Sequence, residues 1–68
     1  IYFRMLSLEN ISTGELCLGS ELEYFIDEEN MTGDVYLDGD LIFQAMDVVT
    51  EEALQLQLQK EFVINIID

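Results

Sequence analysis

Asp38-Gly39 stands between two short apolar runs, Val35-Tyr36-Leu37 and Leu41-Ile42-Phe43. A two-residue type I′ turn needs positive φ at both central positions, and Asp-Gly is one of the few pairs that accept this readily. The combination predicts a β-hairpin at the centre of the chain. Asp40 begins the return strand, and Gly33 is assigned to the loop before the first one. A central hairpin commits a chain of 68 residues to an antiparallel sheet, because so little sequence remains on either side.

The flanks extend this reading. From Glu15 to Asp27 the chain alternates. Leu16, Leu18, Leu22, Tyr24 and Ile26 fall on one face. Glu15, Glu21, Glu23 and Asp27 fall on the other, beside Cys17, Gly19 and Phe25. Period two predicts a half-buried strand, with Gly19 as a bulge or as a turn dividing it in two. Residues 1–8 read as a further strand, ending near Glu9-Asn10.

The last third carries two conflicting signals. Leu54, Leu56, Leu58, Phe62, Ile64 and Ile66 alternate, broken only at Lys60, which predicts one long strand. Thr50-Glu51-Glu52-Ala53 has a hydroxyl cap followed by carboxylates, as at a helix start, and the residues after it are good helix formers. The alternative is therefore a helix at about 50–60 followed by a short strand. Val63 and Ile67 make the final strand apolar on both faces, which suits a central strand or one paired with a second copy. The expected fold is mainly β: a single domain over residues 1–68, built as one small antiparallel sheet or partly closed barrel of 4–5 strands. The α+β form with one helix is the alternative.

Charge bears on partners more than on fold. Of 15 acidic residues, all except Glu61 and Asp68 lie between Met5 and Gln59, a stretch with no Lys or Arg, and the net charge is −13. Half of the residues are apolar, so the chain has material for a core despite that charge. A domain this small folds on a thin margin, and burial against a partner or a second copy would widen it. Nucleic acid and anionic membrane are excluded as partners by repulsion, and no apolar run is long enough for a transmembrane helix. The chain opens at Ile1 without a methionine, as a trimmed product would. The lone Cys17 offers no intrachain disulfide and reads as a small buried hydrophobe. Asn10-Ile11-Ser12 and Asn30-Met31-Thr32 match the glycosylation pattern, but Asn, Ser and Thr also gather at turns, and the turn reading is preferred.

The residue types leave little chemistry. Histidine is absent, which removes the commonest general base at neutral pH, and no Gly-rich loop followed by Lys could hold a phosphate. A carboxylate pair could be drawn anywhere among so many acids, so it carries no weight. Asp34-x-x-x-Asp38-Gly39-Asp40 resembles a calcium loop only faintly, because Tyr36 and Ala45 fall where ligands belong. Asp27, Glu28 and Glu29 could attract divalent ions loosely, though a solvated charge run explains them as well. No enzyme activity, cofactor or metal is expected.

What remains is recognition. A small phage-inhibitor-, DNA-mimic- or immunity-protein-like role is expected, in the cytoplasm, with carboxylates blocking the basic surface of a nuclease or nucleic-acid-binding protein. The candidate contact residues are Glu21, Glu23, Asp27, Glu28, Glu29, Asp34, Asp38 and Asp40, with Tyr24 and Tyr36 at the rim. The alternative is a structural or assembly subunit, such as a virion decoration or accessory protein, that uses the apolar strand from Phe62 to Ile67.

Overall fold

A computed structural model describes residues 5–67. Strands β1 (Met5–Asn10), β2 (Leu16–Gly19), β3 (Leu22–Asp27), β4 (Thr32–Leu37) and β5 (Asp40–Met46) are followed by helix α1 (Glu51–Glu61) and strand β6 (Phe62–Ile67). The fold is mainly β with one helix. It contains two three-stranded antiparallel sheets rather than one sheet or a barrel, with strand orders β2-β1-β6 and β3-β4-β5.

The central hairpin forms as expected. Asp38 and Gly39 both take positive φ, 50° and 87°, and Asp40 opens β5 opposite Leu37. A bulge between Val35 and Tyr36 shifts the register, so that Val35 faces Phe43 and Tyr36 faces Leu41. Gly33 lies inside β4, not in the preceding loop, and pairs with Ile26 and Ala45. A Cβ at Gly33 would lie 2.9 Å from a Val48 methyl and 3.0 Å from both Leu54 methyls. The missing side chain is what lets α1 and Val48, in the segment that leads into it, close onto this sheet.

The run from Glu15 to Asp27 divides at Ser20-Glu21, and its two halves enter different sheets. The division also changes the phase. In β3, Leu22, Tyr24 and Ile26 pack against the core as expected. In β2 it is Cys17 and Gly19 that face inward, opposite Leu8 and Leu6, while Leu16 and Leu18 lie exposed on the outer side. The cause is contact between the sheets: a Cβ at Gly19 would sit 2.6 Å from Leu37. Only glycine lets the end of β2 approach that buried leucine.

After Thr50 the helix wins over the long strand. The Thr50 hydroxyl accepts a hydrogen bond from the Ala53 N–H at 3.2 Å, Glu51 and Glu52 occupy the first turn, and Lys60 the last, each where the helix dipole favours its charge. Leu54 and Leu58 are buried and Leu56 points to solvent. The physical reason lies in β1. Its six residues pair with β6 from Met5↔Ile67 to Asn10↔Phe62, and at Asn10 the chain turns, its side chain accepting from the Ser12 and Thr13 N–H groups. Past Asn10 β1 therefore runs no further alongside the residues before Phe62, and their backbone satisfies itself as a helix. Thr50→Ala should cost about 1 kcal/mol, read as a lowered midpoint in thermal unfolding. An unchanged midpoint would show that the cap contributes nothing.

One core joins the elements. Leu8 and Phe62 from the first sheet, Val35, Leu37 and Ala45 from the second, and Val48, Leu54 and Leu58 from the helical segment form a single buried cluster. The Phe43 and Phe62 rings meet edge to face at 6.1 Å across the two sheets. Strand β6 is apolar on both faces but is not central. It is an edge strand, with Val63, Ile66 and Ile67 exposed.

Candidate functional site, an acidic and aromatic sheet face

The inner face of the β3-β4-β5 sheet is committed to the core, and alternation sends the other side chains outward. Cross-strand partners on that outer face are Asp27↔Thr32, Phe25↔Asp34 and Glu23↔Tyr36 between β3 and β4. Met46, Gln44 and Leu41 continue the same rows onto β5. At the centre four side chains form a two-by-two block. Phe25 and Tyr36 occupy one diagonal, with ring centroids 5.3 Å apart and planes at 89°. Glu23 and Asp34 occupy the other. Phe25 is 54% exposed, an unusual position for a ring with no polar atom, and one that leaves it available for contact.

The electrostatics are one-sided. Diagonal neighbours across an antiparallel pair lie about 7–8 Å apart, inside the Debye length of about 8–10 Å at moderate salt. Glu23 and Asp34 therefore repel each other. Among the described residues neither forms a hydrogen bond or ion pair, whereas two other carboxylates nearby are engaged.

Those two are Asp27 and Asp38. Asp27 accepts from the Asn30 side-chain amide at 2.8 Å and from the Glu29 and Asn30 N–H groups. These bonds, the Asn30 amide first, hold its pKa below the usual aspartate range. Asp38 reaches from the hairpin turn to the β2–β3 link, accepting from the Ser20 N–H and hydroxyl and from the Glu21 N–H. Its own N–H donates to the Glu21 carbonyl. The Ser20 backbone bond is the main cause of its lowered pKa. Asp38 is thus a clamp between the two sheets before it is a contact residue.

The eight candidate carboxylates do not form one cluster. Glu23, Asp27 and Asp34 share the outer face. Glu28 and Glu29 lie exposed in the turn at the Asp27 end. Glu21, Asp38 and Asp40 gather at the opposite end, where Asp40 is in register with the inward Leu37 and so lies on the side away from Tyr36. Of the two tyrosines expected at the rim, Tyr36 is on this face and Tyr24 is not. Tyr24 pairs with the buried Val35 and packs against the core. Phe25 and Leu41 belong to the face although neither counted among its contact residues in the sequence. The signal for Phe25 was its phase, since period two sets it with Glu23 and Asp27.

Both asparagines of the glycosylation-like triplets turn their side chains onto their own loops, Asn10 toward Ser12 and Thr13, and Asn30 toward Asp27. Cys17 is a free thiol, partly buried on the inner face of β2. Among the described residues, no three metal-ligating side chains converge, and no helix is long and apolar enough to cross a membrane. The sequence matches no family model, and comparison with curated proteins and with solved structures returned no match. The chemistry of the face is read from its own residues.

Proposed function

We propose that this chain is a small acidic binding protein whose outer β3-β4-β5 face covers a basic surface of a partner protein, in the manner of a phage inhibitor, DNA mimic or immunity protein. The observation that carries this reading is the central block, in which two carboxylates without a partner among the described residues flank the exposed Phe25 and the half-buried Tyr36. Aromatic residues supply contact area at low entropic cost, and carboxylates supply complementarity toward a cationic surface. Nucleic-acid-binding surfaces are the commonest strongly basic ones, so a nuclease or nucleic-acid-binding protein is the partner class that fits best. The work is placed in the cytoplasm, where such enzymes meet nucleic acid. No catalytic role, cofactor or metal is part of this reading.

The test is titration against a panel of basic nucleases and nucleic-acid-binding proteins at low and at physiological salt. Affinity should fall steeply with salt, and the double variant Glu23→Gln with Asp34→Asn should weaken binding by about tenfold, or roughly 1.4 kcal/mol. Binding that salt leaves unchanged would sink the proposal.

A second reading is favoured by a separate observation. The outer face of the β2-β1-β6 sheet exposes Met5, Leu16, Leu18, Val63 and Ile67, with Glu9 as the one carboxylate among its described residues. A structural or assembly subunit would use that face and the edge of β6. Sedimentation at neutral pH that finds only monomer over a wide concentration range would count against it.

A further inference from the structure

We infer that the side chain recognised at the centre of the β3-β4-β5 face is arginine rather than lysine. This inference rests on the proposal that the face binds a basic protein, and it specifies the chemistry of the contact.

The block sets two requirements on a ligand. It must neutralise two carboxylates that lie on a diagonal, and it must cover an aromatic pair that lies on the other. A guanidinium meets both. It is planar and weakly hydrated, so it stacks on a ring face at small desolvation cost, and its five N–H donors point outward from more than one edge. Lying against the exposed Phe25 ring, with Tyr36 set edge to face beside it, it can donate toward Glu23 on one side and Asp34 on the other. An ammonium is a compact, strongly hydrated point charge. It can pair with one of the two carboxylates, or approach a ring, but it cannot span the diagonal while remaining stacked. Attraction of a cation to an aromatic face adds to the ion pairing.

The surroundings support the same occupant. Leu41 is in register with Tyr36 and is exposed, so it offers an apolar flank to the methylene stem of a long side chain. Gln44, opposite Asp34, adds a neutral polar group and no competing cation. None of β3, β4 and β5 contains a Lys or Arg.

The experiment titrates the whole chain with deca-arginine and deca-lysine peptides at matched salt, following the ring-proton resonances of Phe25 and Tyr36. Deca-arginine should bind at least fivefold more tightly and shift both rings. Phe25→Leu should bring the deca-arginine affinity down to that of deca-lysine, whereas Glu23→Gln with Asp34→Asn should weaken both peptides. Equal affinities for the two peptides overturn the inference and leave the broader reading standing. Failure of both peptides to bind overturns both. Ring resonances of the unmodified chain that stay still while deca-arginine binds also overturn the inference, and this measurement needs no variant to fold.

Discussion

Leu54→Ala is expected to remove a large share of the folding stability of the chain. Leu54 is fully buried at the contact of α1 with the second sheet, and removing such a side chain costs about 2–5 kcal/mol. A domain of this size has a total stability of roughly 3–10 kcal/mol, so the loss takes a large share. Gly33→Ala should destabilise by about 1–3 kcal/mol for the opposite reason, because its new Cβ enters space that Leu54 and Val48 already fill. The pair gives the sharper test. In the double variant the space vacated by the leucine receives the new methyl group, so the two costs should add to less than their sum, by about 1 kcal/mol. Urea unfolding of the parent and the three variants measures this. Strict additivity would show that Gly33 is not the contact through which α1 seats on the sheet.

That coupling was not legible in the sequence, and the reason is general to this fold. What local chemistry decides can be read locally. Asp38-Gly39 announces its turn because positive φ is a property of single residues. The alternation from Leu22 to Asp27 identifies the inner and outer faces of β3, and so half of the acidic face. What depends on distant partners cannot be read this way. Gly33 looks like a loop residue until a helix is placed over it. Leu16 and Leu18 look like core until Leu37 is found occupying the space where a side chain at residue 19 would go. The leucines after Thr50 alternate convincingly, but β1 ends at Asn10, opposite Phe62, and cannot pair with the run before that residue. The candidate site shows the same division. Its charges are plain in the sequence, while its organisation into one block of four depends on the register between β3 and β4. Asp38, counted among the contact residues by charge alone, is drawn away by the β2–β3 link that it holds.

Acidification should convert the chain from a dispersed to a self-associating species near pH 4, and then loosen it at lower pH. At neutral pH a net charge of −13 keeps copies apart. Close to the isoelectric point of about 4.1 that repulsion vanishes, while the exposed Leu16, Leu18, Val63 and Ile67 of the β2-β1-β6 face and the open edge of β6 remain. Exposed, uncharged edge strands are templates for pairing. Below this pH a second effect enters, and its sign follows from linkage. Asp27 and Asp38 have folded pKa values below the usual range, so their contribution to stability is present above about pH 4 and is lost as pH falls through their folded values. Protonation of Asp38 weakens the clamp on Ser20 and Glu21, and protonation of Asp27 weakens the turn to Asn30. Association should therefore precede unfolding on the way down. Light scattering and circular dichroism recorded together from pH 7 to pH 2.5 would separate the two steps. Leu18→Lys tests the route of association, because a lysine stays charged at pH 4 where a glutamate would not. The variant should keep its fold at pH 7 and scatter far less at pH 4. Scattering that stays flat in the unmodified chain would refute the association, and scattering equal in the variant would place it on some other surface.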